Sequence, residues 1–125
     1  MKKILIALLA FISFSCPVFA SDWVYLGKNR DGQLIYLDKD SVIESYGEVA
    51  GWQKNVKSDG SWVLYRVSVQ ERNQSIAITS CVVYDAEGNV VDQYTSPIPI
   101  YNPVVPDSVG EGVYNFLVET AKSNV

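Results

Sequence analysis

The chain has 125 residues, 10 basic and 14 acidic side chains, a formal net charge of −4, two cysteines and no histidine. That length carries one domain rather than two, and an apolar share of 48% with 19% charged residues is a folding composition rather than a disordered one. A net acidic chain is a poor candidate for binding nucleic acid, which requires a basic face, and without histidine it lacks the commonest general base and metal ligand.

Lys2 and Lys3 precede an apolar run from Ile4 to Phe14 that is broken only by Ser13, and Pro17 and Val18-Phe19-Ala20 follow. This is the layout of a secretory signal peptide over residues 1–20, with cleavage after Ala20. The apolar run falls short of the roughly 20 residues that a spanning helix needs. A lipoprotein signal is the rival reading, with Cys16 as the lipidated residue. Ser13-Phe14-Ser15 puts a bulky Phe beside that site and no Leu at −3, which matches a lipobox poorly. Cleavage leaves one domain of 105 residues, 21–125, with eight basic and 14 acidic side chains and a net charge of −6. Cys16 leaves with the signal, so Cys81 stands unpaired and no internal disulfide forms. The short positive region and compact apolar region point to a bacterium, with the mature chain in the periplasm or at the outer-membrane or cell surface.

From residue 22 to about 95 the chain reads as strands separated by glycine-containing turns. Trp23–Leu26 and Leu34–Leu37 flank Asp31-Gly32, a hairpin signal because glycine supplies the positive φ of a tight turn. Asp38 to Ser41 is a polar turn before the apolar pair Val42-Ile43. The segments 49–56 and 61–71 flank Lys57-Ser58-Asp59-Gly60, and the segments 75–84 and 89–95 flank Asp85-Ala86-Glu87-Gly88. Val63, Tyr65, Val67 and Val69 fall on one side of their strand, and Arg66, Ser68 and Gln70 fall on the other, which is expected to be wet. Three successive hairpins predict a six-stranded antiparallel meander.

Four prolines, at 97, 99, 103 and 106, make 97–106 an extended surface loop, because proline cannot donate to a strand ladder. Ser108-Val109-Gly110-Glu111 has capping-box spacing, and Val109, Val113, Phe116 and Leu117 recur at helical intervals. A helix over 108–121 follows, with its apolar stripe on one face of the sheet. The fold class is α+β.

No residue pattern marks a catalytic, cofactor or metal site. Ser108 has no histidine to activate it and reads as a helix cap. The carboxylate pairs Asp38 with Asp40 and Asp85 with Glu87 lie in turns, where aspartate serves local backbone hydrogen bonds. Asp38, Asp40 and Ser41 do not make an Asp-x-Asp-x-Asp-Gly metal loop. Cys81, within a strand, reads as a small buried hydrophobe. Three Trp and eight Tyr are the unusual feature, and aromatics are also what interfaces use as anchors. Trp62, beside Arg66 on the polar side of its strand, and Tyr101, in the proline loop, are the expected exposed aromatics. Together these three are the candidate partner-binding residues.

In order, the pieces resemble the surface-adhesin protein E family of Gram-negative bacteria. They are Trp23 with Gly27, Tyr36-Leu37-Asp38 before Ser41-Val42, and Val49 with Trp52. Cys81 in a β run comes next, then Tyr84-Asp85 with Gly88-Asn89-Val90-Val91, and Pro106 with Ser108 and Gly110 before a terminal helix. The resemblance implies an antiparallel sheet with the helix on its concave side and a non-enzymatic adhesin role. It also implies homodimers and a protein partner, either a host extracellular-matrix protein or another envelope component. In the family a cysteine at the position of Cys81 commonly pairs with one near the helix end. Here Glu119 to Val125 holds none, which leaves the helix to the packing of Val113, Phe116 and Leu117. Without a lipid anchor the alternative is a soluble periplasmic factor, structural or inhibitory in character.

Overall fold

A computed structural model describes residues 21–124. The expected signal peptide, with Cys16, lies outside the described residues. The elements run β1 (Trp23–Lys28), β2 (Leu34–Asp38), a 3-10 turn (Lys39–Ser41), β3 (Ile43–Ser45), β4 (Glu48–Val56), β5 (Trp62–Gln70), β6 (Ser75–Tyr84), β7 (Val90–Thr95), β8 (Asn102–Pro103) and α1 (Val109–Ser123). They form an antiparallel sheet in the order β1-β2-β4-β5-β6-β7, with β3 also on β4 and β8 also on β6. No helix among the described residues is long and apolar enough to cross a membrane.

The meander path is the expected one, but the sheet has eight strands rather than six. Two of the lanes are interrupted. β2 lies against Gln53–Val56 and β3 against Glu48–Ala50, so they are two parts of one lane along β4. Asp38 and Ser41 hold the break open. The Asp38 carboxylate accepts the backbone N–H groups of Asp22 (2.9 Å) and Asp40 (3.1 Å). The Ser41 hydroxyl donates to the Asp38 carbonyl (2.8 Å) and accepts the Trp52 N–H (2.9 Å), standing in for a missing strand partner. On the other side, β7 lies along Ser80–Tyr84, and the proline loop returns as β8 beside Ser75 and Ile76. Pro103 is thus in an edge strand, where an absent N–H costs little.

One irregularity changes which residues share a side. Between Arg66 and Val67 the register with β6 shifts, leaving Thr79 as an extra residue whose hydroxyl donates to the Arg66 carbonyl at 3.2 Å. Strict alternation would separate Ile76 and Ile78 from Cys81 and Val83. The bulge puts all four on the side that β5 presents with Val63, Tyr65, Val67 and Val69.

α1 lies on that side. It spans two residues more than expected at its C-terminal end, and Ser108 caps it by accepting the Glu111 N–H at 3.2 Å. The reciprocal arm of the capping box is displaced by one residue, since the Glu111 carboxylate accepts from Asp107 N–H (3.3 Å) rather than from the cap. Val113, Leu117, Val118 and Ala121 are buried against Leu37, Val42, Val49, Val67 and Val69. The helix is therefore not held by Val113, Phe116 and Leu117 alone: Phe116 is only half-buried, and Val118 and Ala121 complete the buried stripe. Tyr114 also donates its hydroxyl to the Glu71 carbonyl (3.4 Å), and an exposed Lys122–Glu71 pair at 3.6 Å adds little.

Helix and sheet meet tightly at Gly51, where an added Cβ would stand 2.8 Å from Leu117 Cδ2 and 3.3 Å from Val42 Cγ2. Only a residue without a side chain lets Leu117 reach full burial here. Gly51→Ala is expected to lower unfolding free energy by about 1–3 kcal/mol through overpacking, and Leu117→Ala by about 2–5 kcal/mol through a cavity. Urea denaturation of both variants checks this. A Gly51→Ala protein as stable as the parent would show that the helix does not press on this point.

Candidate binding face

Alternation along β5 sends Trp62, Leu64, Arg66 and Ser68 to the side opposite α1. The register then gathers neighbours around them. Trp62 stands between Val56 and Tyr84, and Arg66 between Trp52 and Ser80. Lys54 stands opposite Leu64 on one flank and Tyr36 on the other, and Tyr36 stands opposite Tyr25. All three tryptophans thereby come to the helix-free side, with Tyr25, Tyr36 and Tyr84.

These rings are organised among themselves. Trp62 stacks on Tyr84 with centroids 5.1 Å apart and planes 15° apart, and Tyr25 meets Tyr36 at 5.4 Å, tilted by 58°. The Arg66 guanidinium lies 5.5 Å from the Trp52 ring centre. The Lys54 ammonium lies 4.5 Å from Trp23 and 5.6 Å from Tyr36. Both are within cation–π range. Burial pushes the Lys54 and Arg66 pKa values below their ordinary values. Aromatic ground takes the place of part of their water.

Tyr101 belongs to the same side. Continuing the Asn102–Ile76 register sets Tyr101 beside Ala77, and its hydroxyl shares a 2.9 Å hydrogen bond with Ser68 Oγ one strand further on. Ser68 and Ala77 are buried there, so this part of the side expected to be wet is covered. Trp62 and Tyr101 are half-buried rather than exposed, because each is braced by a neighbour: Tyr84 for the one, Ser68 for the other. The fully exposed tyrosine is Tyr46, at the turn between β3 and β4. The structure thus brings Trp62, Arg66 and Tyr101 onto one surface. It adds Trp23, Trp52 and Lys54, which the sequence did not mark as partner-binding residues, although Trp52 and Lys54 share a parity on β4.

The other candidates are occupied by structural roles. Ser108 caps α1 and also donates to the Val105 carbonyl at 2.6 Å. Asp85 accepts the N–H groups of Glu87 (3.0 Å) and Asn89 (2.8 Å) in a turn closed by Gly88 at φ 89°. Among the described residues no three His, Cys, Asp or Glu side chains converge to hold a metal ion. An open cleft of about 450 Å³ beside the start of α1 is floored by Val67, Ile76 and Ile78, and no titratable side chain lines it.

Cys81, on the α1 side between Tyr65 and Tyr94, is half-buried rather than buried, because the helix does not extend over it. Burial, with a smaller contribution from the Asp92 carboxylate, raises its pKa, and burial also raises that of Tyr65. Both neutral forms are favoured by folding. Their stabilisation is complete below the ordinary thiol value of 9.0 and is lost as pH rises through the folded-state values. The melting temperature is therefore expected to fall above about pH 9, and less steeply in Cys81→Ala. At pH 8 a disulfide reagent is expected to label the native thiol more slowly than free cysteine. Labelling at the free-cysteine rate would contradict that environment.

Compared with family models, curated proteins and solved structures, the chain matches none of the three.

Proposed function

We propose that this chain is a non-enzymatic, exported envelope protein, a binding module of the surface-adhesin protein E type. Its protein partner docks on the sheet side opposite α1. One observation carries this reading: Trp23, Trp52, Trp62, Arg66 and Tyr101 share one sheet surface that α1 leaves uncovered. Trp, Tyr and Arg are the residues that dominate binding hot spots, since they combine large apolar area with a polar or charged end. The rings here are held by stacking and by cations, so little side-chain freedom remains to be lost on association.

The non-enzymatic reading is supported by the hydrogen bonds that engage Ser108, Asp38 and Asp85 in caps and turns. Export rests on the layout of residues 1–20, and the partner class, a host extracellular-matrix protein or another envelope component, rests on the family resemblance. The poor lipobox before Cys16 favours a second location, an unanchored factor in the periplasm. Intact mass of the exported protein separates the two: Ser21 as first residue favours the periplasm, and a lipidated Cys16 supports surface display.

Pull-downs with the mature protein from envelope extract and from host matrix proteins test the partner class. A Trp62→Ala, Tyr101→Ala double variant is expected to weaken capture by about tenfold or more, each side chain contributing on the order of 1 kcal/mol or above. Unchanged capture by a variant with the parent circular dichroism would remove this side from the reading.

A further inference from the structure

We propose that Lys54 and Arg66 form a paired carboxylate receptor, and that the partner presents an extended acidic segment with carboxylates at alternate residues. This inference rests on the reading of the helix-free side as a docking surface.

The charge distribution carries it first. Acidic side chains outnumber basic ones by 14 to 10 in the chain, yet the middle of this side holds two cations. Among the described residues the one ion pair is Lys122 with Glu71, at the other side of the sheet. The side chains of Lys54 and Arg66 reach no carboxylate there and donate no hydrogen bond to a described residue; rings are their neighbours. The carboxylates nearest in the ladder have other work. Asp38 accepts two backbone N–H groups, and Glu48 accepts from the Gln70 amide at 3.1 Å. A half-desolvated cation without a counter-charge gains more from an incoming carboxylate than a fully hydrated one does.

Spacing carries it further. Lys54 pairs with Leu64 and Arg66 with Trp52, so the two cations are diagonal neighbours across β4 and β5. Diagonal positions in an antiparallel pair are about 7–8 Å apart. An extended chain rises about 3.3 Å per residue, so its same-side groups recur at nearly that interval. A segment of the form acid-x-acid matches that backbone interval, and the flexible side chains of Lys54 and Arg66 can each turn from their rings to one carboxylate. The guanidinium fork donates two hydrogen bonds to its carboxylate, and the ammonium holds its own as a point charge. Leu64 and the indoles of Trp52 and Trp62 supply apolar ground for the flanking residues of the partner.

The test titrates the mature protein with acetyl-Val-Glu-Thr-Glu-Val-amide, its Gln-for-Glu counterpart and dextran sulfate, reading the fluorescence of the native tryptophans. Saturable binding of the Glu peptide is expected, weakened by salt and at least about tenfold tighter than that of the Gln peptide. Lys54→Gln with Arg66→Gln is expected to remove that preference, and Arg66→Lys to reduce it. Equal binding of the two peptides to the parent protein overturns the proposal without recourse to any variant. So does an undiminished preference in the double variant, or binding of dextran sulfate alone, which would mark a sulfated glycan as ligand. If the Glu peptide fails while Trp62→Ala with Tyr101→Ala still abolishes protein capture, the docking side stands and the acidic segment does not. Failure of both removes the docking side as well.

Discussion

The seat of Leu117 on Gly51 decides what each side of the sheet has to do. A sheet has two sides, and among the described residues one long helix, α1, is there to lay on them. The helix settles where the backbone of β4 carries no side chain, and there Leu117 closes a core with Val49, Val67 and Val69. Each such side chain removed from water contributes about 1.5–3 kcal/mol, so the choice of side is not a close one. The cost falls on the opposite side. It carries the three tryptophans with no helix over them, and it must be compatible with water through its own side chains.

It manages this by lateral contact. Trp62 turns a ring face to Tyr84, and Tyr25 meets Tyr36. Lys54 and Arg66 set their charged ends over the indoles of Trp23 and Trp52, which puts polar groups on apolar area that leucine in their place would leave without them. Where the sheet carries only small residues, at Ser68 and Ala77, Tyr101 reaches across from the proline loop. The cations are therefore structural as well as electrostatic. A chain that needed only solubility would satisfy those charges with nearby carboxylates, and it has 14 to spend.

How far the fold was legible follows from which interactions are local. The three hairpins were readable because Asp-Gly and Glu-Gly turns fix their own geometry, and α1 was readable because Ser108 and Glu111 are three residues apart. The parity of β5 was readable because no bulge interrupts that strand. The split between β2 and β3 was not, since it depends on the Ser41 hydroxyl taking the N–H of Trp52, eleven residues on. The turn at Tyr46-Gly47 was missed because tyrosine at φ 51° breaks the usual residue preference for that conformation. The side-sharing of Ile78 with Cys81 was hidden by the bulge at Thr79. For the site, Trp62 and Arg66 could be found from one strand alone. Lys54, Trp23 and Trp52 required the cross-strand register, and sequence periodicity does not contain it.

The lone cysteine bears on how firmly this arrangement holds. A disulfide from the sheet to the end of a helix stabilises mainly by restricting the unfolded chain, typically by about 2–4 kcal/mol. Here Cys81 is unpaired among the described residues and lies beyond the reach of the helix, between Tyr65 and Tyr94. Val113, Leu117, Val118 and Ala121 must therefore supply by packing what a tether would supply by topology. Packing of this kind is cooperative: lifting α1 uncovers the whole stripe together with Val49 and Val67, so partial detachment is disfavoured. Bracing from the α1 side holds β4 and β5 in register, and that register sets the diagonal of Lys54 and Arg66 on the other side. The contact at Gly51 and the spacing of the two cations are thus properties of the same pair of strands.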